Sequence, residues 1–227
     1  MSKINFTMQD LLLSGAHLGH VREKFNPKMK PFIFGLREGV YLIDLEKTVI
    51  ALAKAIDYLK QQRDLGKTTM FVCTKGGINN MVRELAVELD MPFVTYRWPG
   101  GMLTNFETLK KQIKKLQDLE KKTESEEWEG LTKKEKASIN REIIKLNKSF
   151  EGVKKMTKLP DSIFVIDTVT EKIALEEARN KKIPVVAIVD TNSNPEKIDY
   201  PIPSNDDAKK AIELILGEIK RALTKKS

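Results

Sequence analysis

Ile163-Phe164-Val165-Ile166, closed by Asp167-Thr168, and Val185-Val186-Ala187-Ile188-Val189, closed by Asp190-Thr191-Asn192, decide the fold. Each is a short, unbroken apolar run. A strand with water on one face alternates apolar and polar residues, whereas an unbroken run suits a strand covered on both faces. The stretch between the two predicts a helix through Ile173 and Ala178. Strand, helix, strand in that rhythm predicts a mostly parallel sheet with right-handed crossovers. Toward the N-terminus, Met70-Phe71-Val72-Cys73 repeats the apolar run. It is followed by Gly76-Gly77, a helix with Met81, Leu85 and Leu89 in register, and a strand over Pro92 to Tyr96.

Further out, Asp44 is placed to cap a helix that buries Val49, Leu52, Ala53, Ile56 and Leu59, with Lys47 where a capping box carries Glu or Gln. Phe32-Ile33-Phe34 and Val40-Tyr41-Leu42-Ile43 predict strands around a turn at Gly39. Thr7 to Ala16 predicts a short helix with Leu11, Leu12 and Leu13 inside. A last helix, Asn205 to Thr224, buries Ala208, Ile212, Ile215 and Ile219. The fold class is α/β: a mostly parallel sheet flanked by helices, with an insert of another kind.

That insert covers residues 105–158 and divides a body made of residues 1–104 and 159–227. Phe106, Leu109, Ile113 and Leu116 recur at helical spacing, as do Ile139, Ile143, Leu146, Phe150 and Val153. These are a and d seams of two helices that pair as an antiparallel coiled-coil hairpin. Polar, acidic Thr123 to Gly130 makes the turn. The insert holds 15 basic and 10 acidic residues, a net of +5.

The whole chain of 227 residues carries 40 Lys and Arg against 32 Asp and Glu, a net charge of +8. A basic balance favours polyanionic partners. At 41% hydrophobic residues the chain can build a core. No apolar run reaches the ~18 residues of a membrane span. Met1 to Thr7 lack the apolar core of a signal peptide, and a single cysteine, Cys73, forms no intrachain disulfide. A reducing cytoplasm is therefore expected.

Several stretches carry candidate chemistry. Leu65-Gly66-Lys67-Thr68 imitates the end of a phosphate-binding loop, but Gln61 stands where the first glycine belongs, and the stretch precedes a strand. Thr74-Lys75-Gly76-Gly77 lies between a strand and a helix, where free backbone N–H groups favour phosphate, or where a tight turn is simply needed. His17 and His20 are three apart; with Asp190, Asp206 or Asp207 they are candidates for a structural metal ion. Asp167-Thr168 and Asp190-Thr191-Asn192 sit at strand carboxyl ends, where α/β proteins bind ligands and where Asp, Thr and Asn also make turns. Cys73 reads as a buried strand residue with no assignable base. From Arg22 to Phe32, cations interleave with aromatic and proline residues. This predicts an extended loop that lays cations along phosphates while Phe25 stacks on a base or packs inward.

His17-Leu18-Gly19-His20, Asn26-Pro27-Lys28-Met29 and Ile43-Asp44-Leu45-Glu46-Lys47-Thr48 resemble the opening of the second small-subunit ribosomal protein family. Arg97-Trp98 with Gly100 to Asn105, Leu159-Pro160-Asp161, Ile188 to Asn192 and Tyr200 to Ala208 resemble the rest, in order along nearly the whole chain. The resemblance implies a Rossmann-like body, a protruding hairpin of the bacterial or organellar type, and no catalysis. It implies a structural role on the small ribosomal subunit, between head and body. There the chain would bind small-subunit rRNA and support docking of ribosomal protein one beside other small-subunit proteins. Carried over by position, Lys24, Lys28, Lys30, Arg37, Lys75, Arg97, Trp98 and Asn105 are the rRNA contacts, joined by Lys110 and Lys114 of the hairpin. Pro99 stands where the family has leucine, and Gly76 to Asn80 depart from its polar, alanine-rich helix start. No membrane or DNA partner is expected, and no cofactor beyond the candidate metal at His17, His20, Asp190 and Asp206. Two other readings of the residues remain: an α/β enzyme acting on a phosphorylated small molecule at Lys75 or Asp190, and a coiled-coil adaptor for protein alone.

Overall fold

A computed structural model describes residues 3–224. Its centre is a five-stranded sheet in which every neighbouring pair is parallel. The strands are β4 (Thr69–Val72), β5 (Phe93–Val94), β6 (Ser162–Ile166), β7 (Val185–Val189) and β8 (Tyr200–Pro203), in the order β5-β4-β6-β7-β8. Ahead of it lies a small antiparallel sheet, β1 (Leu18–Val21), β2 (Ile33–Arg37) and β3 (Val40–Ile43), with β3 in the middle.

The unbroken apolar runs divide by alternation, as two-sided burial requires. Phe71, Phe164, Ile166, Val186 and Ile188 face one side. There they meet α2 (Leu45–Asp64), α3 (Asn79–Glu88) and α8 (Lys209–Thr224) through Leu52, Ile56, Val82, Leu85, Ile212 and Ile215. Met70, Val72, Ile163, Val165, Ala187 and Val189 face the other side, against Ala174 and Ala178 of α7 (Lys172–Asn180). The Asp44 carboxylate accepts the Glu46 and Lys47 N–H groups and starts α2. Lys47 adds an ion pair to the cap at 3.1 Å.

The residues of the insert form α4 (Phe106–Thr123), the short α5 (Glu126–Glu129) and α6 (Lys133–Phe150). A reciprocal Thr132–Glu135 capping box begins α6. The expected seam is the buried one near the body: Phe106, Ile113, Leu116, Phe150 and Val153 join the second core without a break, whereas Ile143 and Leu146 are half-buried. Lys115–Glu142 at 2.5 Å ties the two long helices. Glu120 on α4 accepts from Asn147 on α6 at 3.1 Å and from Lys154 beyond it at 2.5 Å.

The structure departs from the sequence-based expectations in places. The first helix, α1, is only Met8–Leu13; Leu11 is buried, but Leu12 and Leu13 are 52% and 74% exposed. Three successive residues span most of a helical turn, so they cannot share one buried face. Ile173 is exposed, and Ala174, Glu177 and Ala178 are the buried face of α7. The last helix begins at Lys209, because the Asn205 side chain accepts the Asp207 and Ala208 N–H groups in a turn. The strand after Pro92 shrinks to Phe93–Val94. Arg22 to Phe32 is not extended: it forms two 3-10 turns, at Arg22–Lys24 and Pro27–Phe32. The strand β8 was not foreseen. Its two prolines donate no ladder hydrogen bonds, which suits the sheet edge it occupies.

Candidate nucleic-acid interface

The loop bearing Lys24, Lys28 and Lys30 is pinned to the body. Met29 is fully buried in the second core. The Asn26 N–H donates to the Thr191 carbonyl at 2.8 Å, and the Asn26 side chain caps the following turn by accepting the Lys28 N–H. Phe25 stacks on Tyr41 with ring centroids 4.0 Å apart, so of its two expected roles it takes inward packing. Lys24, Lys28, Lys30 and Arg37 are all exposed on this frame. Lys28 pairs with Glu196, and Arg37 faces its neighbour Glu38 at 3.8 Å.

The second group sits where the body meets the insert. Arg97 and Asn105 are exposed, and the Asn105 side chain accepts the Thr108 hydroxyl at 2.8 Å. Lys114 is exposed on α4, whereas Lys110 is half-buried, pairs with Glu107 at 2.8 Å and lies over the Phe106 ring. Trp98 is turned inward: 8% exposed, it donates its indole N–H to Glu177 at 3.0 Å. The same carboxylate accepts the Gly101, Leu103 and Thr104 N–H groups and the Thr104 hydroxyl. Burial alone would raise the Glu177 pKa; these donors outweigh it and hold the group below the ordinary glutamate range. No local sequence motif marks Glu177 for this role.

Lys75 is also turned inward, at the carboxyl edge of the parallel sheet. Its ammonium lies 2.6 Å from Asp207, 2.8 Å from Asp206 and 3.1 Å from Asp167. Burial pulls its pKa down, but the hydrogen bonds to Asp206 and Asp207 and the nearby charges outweigh that and raise it. An ammonium ringed by three carboxylates is a poor phosphate ligand, because its field is already spent.

Beside it, His20 Nδ1 lies 3.2 Å from Asp190, and ligand atoms of His20, Asp190 and Asp206 fall within 4.8 Å of one another. Burial, with the charges of Asp167 and Asp190, pushes the Asp206 carboxyl up to about 7. Asp206 is 1% exposed, and its Oδ2 has no hydrogen-bond partner. His17 is not in this group. It lines an apolar groove with Met8, Leu12 and Phe34.

An exposed set of cations on a pinned loop and hinge, beside a carboxylate-lined sheet edge whose lysine is internally neutralised, defines a basic α/β scaffold protein. The comparisons agree. The sequence profile described as Ribosomal protein S2 matches residues 11–226. The small ribosomal subunit protein uS2 of Helicobacter hepaticus is 48% identical over 217 residues, covering 96% of this chain and 82% of its own. That of Parabacteroides distasonis is 45% identical over 223 residues, 98% and 80% of the two chains. That of Porphyromonas gingivalis is 46% identical over 223 residues, 98% and 79%. The chain belongs to the ribosomal protein S2 family. Its role is structural, in translation on the small ribosomal subunit, and it is not an enzyme.

Proposed function

We propose that the chain binds small-subunit rRNA through Lys24, Lys28, Lys30 and Arg37 on the N-terminal loop and small sheet. Arg97 and Asn105 at the hinge, and Lys110 and Lys114 on α4, would complete the contact. Lys75 and Trp98 hold the scaffold behind them. The carrying observation is that Lys24, Lys30, Arg97 and Lys114 have no ion-pair partner among the described residues, although carboxylates abound elsewhere on the surface. Unpaired cations on rigid backbone lose little by meeting phosphate. Such contacts position a protein, while rRNA shape supplies specificity. In this reading the protein works in the cytoplasm, between head and body. Ribosomal protein one or a neighbour would dock on the apolar patch that includes Met8, Leu12 and Phe34, the last 78% exposed.

The test is binding to transcribed small-subunit rRNA across a salt series. With six phosphates engaged, affinity is expected to fall about 10³-fold between about 50 and about 200 mM salt. Charge reversal at Lys24, Lys28 and Lys30 is expected to remove about half of that dependence, three contacts of the six, and to impair assembly into the subunit. Salt-independent association, or reversal without effect, would leave an adaptor for protein alone.

A second reading concerns His20, Asp190 and Asp206. Imidazole and carboxylate oxygen suit a divalent cation such as zinc, and the unpartnered, buried Asp206 Oδ2 favours one there. The cation would supply charge neutralisation and a cross-link between β1 and the ends of β7 and β8. About one equivalent of zinc is expected in protein purified without chelator and none in Asp206→Asn. Equal, near-zero contents in both would exclude the site.

A further inference from the structure

A second basic surface lies along the C-terminal end of α7 and meets the loop cations described above at Lys28. A groove of about 590 Å³ is lined by Lys28, Arg179, Lys182 and Lys197. A smaller one, about 220 Å³, adjoins it and shares Arg179 and Lys197, adding Lys172. Arg179 and Lys197 therefore stand on the ridge common to both.

The acidic groups at this surface are already engaged. Glu196 pairs with Lys28. Asp199 accepts the Val185 N–H at 2.8 Å. Glu176 faces Lys172 at 3.9 Å. Arg179, Lys182 and Lys197 are exposed and have no ion-pair partner among the described residues. Their backbone is fixed. Lys182 takes the left-handed conformation, φ 56°, that closes α7, with the Ile183 N–H donating to the Ala178 carbonyl at 2.9 Å. Lys197 ends a 3-10 turn that Asn194 starts by accepting the Glu196 N–H at 3.2 Å.

Cations spread over two open, adjoining grooves do not converge on a small anion. They suit a chain of phosphates, and through Lys28 they continue the loop surface assigned above to rRNA. We propose that Arg179, Lys182 and Lys197 form a second RNA-backbone track, binding phosphates of a strand that runs on past Lys28. This rests on the rRNA reading of the preceding subsection.

The test compares the full chain with the triple variant Arg179→Gln, Lys182→Gln, Lys197→Gln on transcribed small-subunit rRNA. At ~0.7–0.9 in log-log salt slope per phosphate contact, losing three contacts is expected to reduce the slope by about two to three. Affinity at moderate salt is expected to fall at least tenfold. The charge-keeping variant Arg179→Lys, Lys182→Arg, Lys197→Arg is expected to retain the slope, which separates lost charge from lost folding. If the wild type shows the strong salt dependence and the Gln triple variant matches its slope and Kd, the track is overturned while the loop contacts stand. If the wild type has no salt-dependent binding, the rRNA reading falls, and the track with it. A Gln triple variant that binds rRNA normally yet fails to enter the subunit also overturns the track, in favour of an acidic protein partner.

Discussion

Trp98 and Glu177 meet through one hydrogen bond of 3.0 Å, indole N–H to carboxylate, and that contact joins the hinge of the insert to the far end of α7. Because the same carboxylate also accepts from Gly101, Leu103 and Thr104, a single buried charge holds the whole Arg97–Asn105 turn in place. Removing it leaves the buried Trp98 and Leu103 donors without a partner. Glu177→Ala is expected to cost roughly 3 kcal/mol or more, since each unsatisfied buried group costs about 1–3 kcal/mol. Trp98→Phe loses one donor and is expected to cost less than Glu177→Ala. Urea unfolding of both variants checks the order; an Ala variant near wild type would mean water satisfies the turn.

The depressed pKa of Glu177 carries a sign. A carboxyl whose folded pKa lies below its unfolded value adds stability that is present above the unfolded pKa, about 4.3 for glutamate. That stability is lost as pH falls toward and through the folded pKa. Urea midpoints measured downward from pH 6 are therefore expected to fall for the wild type below about 4.3. Glu177→Gln is expected to start lower and fall less. Parallel curves would show that Glu177 titrates alike in both states.

The parallel strands were legible because burial on both faces writes an unbroken apolar run, and a helix between two such runs leaves little choice of topology. β8 was illegible because Tyr200-Pro201-Ile202-Pro203 carries two residues that weaken any strand pattern; Thr48 donating its hydroxyl to the Pro203 carbonyl at 2.6 Å helps hold it to α2. The exposed loop cations were legible from their density. The inward turn of Lys75 and Trp98 was not, since their partners Asp206 and Glu177 lie far along the chain. In sequence Glu177 is one of two adjacent glutamates in α7, with no motif to mark its charge. The one local signal was that it shares the buried face with Ala174 and Ala178. The spacing of His17 and His20 suggests a pair, yet residues three apart around the start of a strand point to opposite faces.

Cys73 follows β4 with no exposed surface, and burial pushes its thiol up to about 12. The thiolate is the reactive form, so two barriers act together. Native protein at pH 8 is expected to leave Cys73 unlabelled by iodoacetamide, and urea-unfolded protein to react fully. Labelling that is fast under native conditions and insensitive to rRNA would show local opening at the end of β4.

Gly19 is held by close contact, not by backbone conformation. A Cβ there would run into the Thr191 side chain and lie 2.9 Å from the Tyr41 carbonyl. The Thr191 hydroxyl it would displace accepts the His20 N–H at 2.8 Å, so the intrusion reaches the histidine that faces Asp190. Gly19→Ala is expected to destabilise by about 1–3 kcal/mol, the usual cost of overpacking. Adding Thr191→Ser removes the nearest methyl but leaves the Tyr41 carbonyl, so the double variant is expected to recover only part of the loss. A denaturation midpoint for Gly19→Ala equal to wild type would mean that β1 moves away from the Thr191 turn without penalty, and the close contact would then not explain why glycine stands between Leu18 and His20.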